Sequence, residues 1–159
     1  MTFYSLSPVR FGVGVSGSTA TLGINDPELG TRTVVDENEY IFVHNAGNSQ
    51  VGPGYGVTMS GVTGYSVTVS SITAADAGLG VRLHSTLLTA YYGWVCTKGI
   101  GAVNMSANES CVTGQILVLG VDGGFGLKSN STDFRTVGMV KAMISIASAA
   151  SGSAFFSLF

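Results

Sequence analysis

Few residues in this sequence have the type and spacing that chemistry needs. In "YYGWVCTKGIGAVNM", residues 91 to 105, Cys96 precedes Lys98 by two positions. On an extended strand such a pair shares a face, and a neighbouring cation is what turns a thiol into a reactive thiolate. The competing reading is a strand with Trp94 and Cys96 on one face and Val95 and Thr97 on the other, its aromatic body buried for packing; we expect packing, with the strand stopping at Gly99 and Gly101. The two histidines, His44 and His84, lie in strand-like runs, and no G-x-S-x-G elbow offers a nucleophile for either to serve. The carboxylates come closest to a metal cluster in "DENE" at 36 to 39, which reads as a solvated hairpin tip. "GVGVSG" from Gly12 to Gly17 satisfies G-x-G-x-x-G, but the "STATLGINDP" that follows is not the helix a pyrophosphate requires. The sequence therefore assigns no catalytic, cofactor-binding or metal residue, and the chain is expected not to be an enzyme.

The elements that would position any site read as strands. "RTVVDENEYIFVHN" contains two β-rich runs around Asp36, Glu37 and Asn38, a hairpin from Arg32 to His44. "GYSVTVSS" alternates Tyr65, Val67 and Val69 with hydroxyl-bearing residues. Further strands are expected over Gly56 to Ser60, Gly80 to His84, Tyr92 to Thr97, Gln115 to Gly120 and Phe125 to Lys128. A closing hairpin is expected from "VGMVKAMISIAS" and "AFFSLF" across "AASGS". Only "ITAADAG" could hold a helical turn. Turns every 8 to 12 residues indicate an all-β domain: a compact β-barrel, a β-tulip-like fold or a sandwich.

Composition narrows the function classes. The chain has 159 residues, seven Lys and Arg against nine Asp and Glu, and 23 glycines. Charged residues make up 10%, against about 25% for a typical soluble domain. Seven scattered cations form no stripe for phosphates, so no nucleic-acid partner is expected. A surface of Ser, Thr and Gly with little charge repulsion suits a protein that lives in an assembly. Cys96 and Cys111 match neither a zinc knuckle nor C-x-x-C and are expected to be free, buried thiols of a chain folded in a reducing cytoplasm. "MTFYSLSPVRFGVG" lacks the basic and apolar regions of a secretory signal, so the sequons at Asn104, Asn108 and Asn130 read as polar loops. Lys141 and the serines around Gly152 interrupt the apolar tail, and no membrane span is expected.

Residues 1–30 read differently from residues 31–159. Rich in Gly, Ser and Pro and poor in alternation, they are expected to form an extended N-terminal arm ahead of an all-β domain. Pro8 would fix an extended segment, Arg10 offers a bidentate donor for a carboxylate, and Asp26 and Glu28 flank Pro27. These four, Pro8, Arg10, Asp26 and Glu28, are the candidate contact residues.

The order "EYIFVHNAG", "GPGYGVTMSG", "TAYYGWVCTKGIGAVNM", "SCVTGQILVLGVDGGFGL" and "TVGMVKAMISIASAASGSAFFSLF", over about residues 38 to 159, resembles the capsid decoration (cement) proteins of tailed phages. What that resemblance implies is a compact β-barrel or β-tulip domain that binds the outer surface of an icosahedral capsid. There it would cement the shell as a homotrimer at local threefold axes of an HK97-type major capsid protein. The implied location is the virion surface, after assembly in the bacterial host cytoplasm. A ligand-binding or adhesive β-module of a head fibre or tail is the rival, and it would require Tyr91, Tyr92 and Trp94 to be exposed together.

Overall fold

The computed structural model describes residues 13–59, 65–69, 78–120, 123–127 and 139–158. Among them every regular element is a strand, and the chain is all-β as expected. In order these are β1 (Ser18–Thr19), β2 (Arg32–Val35), β3 (Asn38–Asn45), β4 (Gly56–Met59), β5 (Ser66–Val69) and β6 (Gly78–Val81). There follow β7 (Tyr92–Asn104), β8 (Ile116–Leu119), β9 (Phe125–Leu127), β10 (Met139–Ala142) and β11 (Ser151–Ser157).

Five strands close a barrel in the order β3, β5, β4, β6, β7, with β7 returning to β3. Its interior is aliphatic: Ile41, Val43, Val57, Val67, Leu79 and Val95 point inward, with Val51 and Leu87 from the connecting loops. Fully burying side chains of this kind contributes about 1.5–3 kcal/mol each. Because side chains alternate, the intervening residues of β3 and β7 face away from this barrel. Yet Tyr40, Phe42, Trp94 and Cys96 are buried too, in a second core. Both strands are covered on both faces, which is why "YIFV" and "WVC" read as unbroken apolar runs instead of alternating ones.

That second core lies mostly along the far half of β7. There β11 pairs antiparallel with Lys98 to Asn104, β10 pairs with β11, β8 with β10, and β9 with β8. This ribbon curls back onto its starting strand, where Phe125 of β9 forms a parallel bridge to Met105. The Ser106 N–H donates to the Phe125 carbonyl at 2.8 Å. Val103, Leu117, Leu119, Val140, Ala154 and Phe156 fill the resulting ring.

Three sequence expectations change. The strand expected to stop at the glycines continues through them to Asn104. Gly99 has φ +141°, and a side chain there would overlap Asn38, whose Oδ1 accepts the Ile100 N–H at 2.9 Å. At Gly101 a Cβ would overlap Leu83. Both glycines let a neighbour approach a continuous strand, which is the other use of glycine in a sheet. Second, the β2–β3 hairpin forms as expected, but its turn is Asp36 and Glu37 alone, at φ 50° and 66°. Asn38 already belongs to β3. Third, β10 and β11 form the expected closing hairpin, but residues 143–150 connect them, with Ile146 bridged to Cys111. The possible helical turn at 72–77 lies outside the described residues.

The chain joins the packed domain well before residue 31. Val13 is buried in the second core, Val15 packs against it, and β1 pairs with Tyr92 and Gly93 of β7. The change of composition at residue 30 therefore does not mark where packing begins. Residues 1–12 lie outside the described residues.

Candidate functional site

The most elaborate polar arrangement in the fold is where residues 13–19 cover the outer face of β3 and β7. Register sets three cross-strand pairs side by side: His44 with Tyr92, Phe42 with Trp94, and Tyr40 with Cys96. The His44 and Tyr92 rings stack with centroids 4.5 Å apart, and Trp94 meets Phe42 edge-on at 5.1 Å. Such pairs add about 0.5–1.5 kcal/mol to what burial contributes. Trp94 is 1% exposed, and its indole N–H donates to the Val13 carbonyl at 2.8 Å.

Arg82, just past β6, is wholly buried, and its guanidinium gathers main-chain carbonyls. Its Nε donates to Ser85 O at 2.6 Å and Nη1 to Trp94 O at 2.5 Å and Val15 O at 3.5 Å. Nη2 reaches Gly17 O at 3.1 Å, Ser16 O at 3.4 Å and the Ser85 hydroxyl at 3.2 Å, while that hydroxyl donates to Ser16 O at 2.5 Å. The planar fork thus ties the segment at 15–17 to β7. Five partial negative charges take the role that a carboxylate would ordinarily fill. Burial lowers the Arg82 pKa to about 10, opposed by Tyr40, so the group remains protonated at neutral pH.

Beside it, His84 Nε2 lies 3.2 Å from the Tyr40 hydroxyl. Burial first, and the Arg82 charge second, hold the His84 pKa below its ordinary 6.5. A base whose folded pKa is depressed stays neutral in the fold while the unfolded chain takes up a proton. Stability is then complete above 6.5 and is lost as pH falls from there through the folded value. We expect the denaturation midpoint to drop as pH is lowered from 6.5, and His84→Gln to flatten that dependence. An identical slope in the variant would assign the effect elsewhere.

The nucleophile reading of Cys96 fails. Burial pushes its pKa up to about 12, its thiol contacts the Lys98 carbonyl at 3.3 Å, and the Lys98 side chain faces solvent. Cys96 and Cys111 are both free and buried. At the hairpin tip Asp36 and Glu37 are exposed, and Glu39 pairs with Arg32. Among the described residues no group of three or more His, Cys, Asp or Glu could hold a metal.

Of the four candidate contact residues, Pro8 and Arg10 lie outside the described residues. Asp26 and Glu28 sit on the loop between β1 and β2, on either side of a buried Pro27. Asp26 Oδ2 accepts the Gly23 N–H at 2.6 Å, so this carboxylate closes its own turn, whereas Glu28 is exposed. The same loop displays Leu22, 44% exposed, and Ile24, fully exposed. Sequence reasoning missed Arg82 and its acceptors. The one available signal was an arginine inside the apolar run "GLGVRLH".

No protein-family model matches the chain, and no curated protein matches it. Among solved structures it is similar to the N base of the head fiber gp8.5 of bacteriophage phi29, at 12% identity and TM-score 0.48. The match covers 74% of this chain and 94% of that one.

Proposed function

We propose that this chain is a structural protein of a phage head, not an enzyme. In this reading it binds the outer surface of an icosahedral shell of an HK97-type major capsid protein, as a homotrimer at local threefold axes, and stabilises the shell. The observation that carries this is the character of the surface. Nine large apolar side chains are exposed among the described residues, on a chain whose charged fraction is only 10%. Val112 and Ile144 sit on adjoining turns joined through Thr113 and Ser145, and Leu22 and Ile24 share a loop. Such surface is stabilised when partners cover it. The order of sequence motifs over about residues 38 to 159, which resembles that of phage decoration proteins, supports the same reading. A molecule that binds only the assembled shell adds its binding free energy to what dissociation must overcome.

The loop bearing Leu22, Ile24, Asp26 and Glu28 is our capsid-facing element. The adhesive alternative loses its main support, since Trp94 is buried and Tyr91 and Tyr92 are half-buried. Mixing the purified chain with shells lacking it tests the proposal by cosedimentation. The wild type should saturate at a fixed ratio to the major subunit, and Ile24→Asp, which disturbs no packed neighbour, should weaken binding at least tenfold with unchanged melting. A chain that never sediments with shells would overturn the proposal.

A further inference from the structure

The outward side of the β7–β11–β10–β8 ribbon carries a row fixed by register. Ile100 pairs with Phe155, Phe155 with Lys141, and Lys141 with Ile116. Ile100 and Ile116 are 50% and 47% exposed, Lys141 is exposed, and Phe155 is half-buried. At the Ile100 end the β2–β3 hairpin tip rises beside the row and encloses a pocket of about 370 Å³, lined by Asp36, Glu37, Asn38, Gly99, Ile100 and Phe155. Its lining combines apolar side chains with two carboxylates. That chemistry fits a long aliphatic stem ending in a cation, which is a lysine side chain.

The same face supplies such a lysine. Lys141 stands two strands from Ile100, about 10 Å away at the usual strand spacing. No ion pair is formed by it among the described residues, whereas Arg32 and Glu39 satisfy each other on the neighbouring hairpin. In two copies placed face to face about an axis between Ile100 and Phe155, each Lys141 lies over the other's hairpin tip. Ile100 then lies over the partner's Phe155. The face is complementary to itself in both charge and apolar content.

We infer that this face joins two copies of the chain, with Lys141 of one seated in the acidic-rimmed pocket of the other. From the assembly reading the inference takes only that copies meet. It is tested without capsids, so its failure leaves the cosedimentation result untouched, and failure of cosedimentation leaves it standing. Sedimentation velocity of the full chain over 1–100 µM, as order-of-magnitude limits, should show reversible self-association. Lys141→Glu alone, and Asp36→Lys with Glu37→Lys alone, should each weaken it at least tenfold through like-charge juxtaposition. Mixing the two variants should restore it, because both contacts are then again between opposite charges. Lys141 is exposed on a strand, so Lys141→Glu should melt with the wild type, whereas Asp36 and Glu37 hold the left-handed turn and their double variant should melt somewhat lower while still folded. A wild type that is monomeric throughout, an association that Lys141→Glu leaves unchanged, or a mixture that does not recover would each overturn the inference.

Discussion

Trp94→Ala is expected to move the denaturation midpoint far below that of the wild type. Replacing a buried tryptophan by alanine costs about 3–5 kcal/mol, against a total stability of about 5–15 kcal/mol for a typical domain. Trp94 is 1% exposed and stands edge-on to Phe42 in the core that β3 and β7 share with the N-terminal segment. The loss extends beyond volume, since the Val13 carbonyl would surrender the indole N–H it accepts at 2.8 Å. Trp94→Phe separates the two contributions: it keeps most of the ring and loses the donor, for an expected cost of about 1–3 kcal/mol. Denaturant midpoints read both. An alanine variant that melts with the wild type would mean that the aromatic face contributes little to holding the fold.

Arg82→Met should cost nearly as much, for a different physical reason. Methionine keeps part of the apolar stem but withdraws the donors from the carbonyls of Val15, Ser16, Gly17, Ser85 and Trp94. A buried acceptor left unpaired costs about 1–3 kcal/mol, and the chain limits that cost by letting residues 13–19 detach into water. The expected result is a loss of about 3–5 kcal/mol together with new proteolytic cleavage in that segment. Arg82→Lys, with three donors and no planar fork, should fall between. Deletion of residues 2–19 should reproduce the loss of stability, because it removes three of the five acceptors from the other side. A fold that tolerates Arg82→Met with wild-type protease resistance would show that the carbonyl cluster is incidental.

Strand identities were legible wherever one element alone determined them. Asp36 and Glu37 between two β-rich runs give a hairpin from local turn chemistry, and "WVC" gives a strand whose two faces follow from period two. Partnership was much less legible. Nothing in "GIGAVN" distinguishes glycines that end a strand from glycines that admit Asn38 and Leu83, because the residues that need the space lie about 15 to 60 positions away. The same limit hid the site. Val13 to Gly17 look like arm by composition, since much of their stabilisation comes from main-chain carbonyls whose donors are Arg82 and Trp94, and carbonyl acceptors leave no mark in a sequence. The flanking of Pro27 by Asp26 and Glu28 marks a rigid stretch, and the Gly23 amide three residues before Asp26 is what its carboxylate serves.

The long strand β7 has a bearing on how the chain reaches this state. It pairs with β1, β3, β6 and β11, elements that span residues 18 to 157. Closing either ring therefore waits on pairings far apart in sequence, and folding dominated by such pairings is slow. Until β11 arrives, the half of β7 from Lys98 to Asn104 has a bare edge, with Ile100 and Val103 beside unpaired amides. A bare edge of that kind recruits other chains. Refolding yield should consequently fall with protein concentration more steeply than the stability of the finished fold would suggest. In a cell making many copies at once, the hazard is concentrated in the interval between synthesis of residue 104 and docking of residues 151–157.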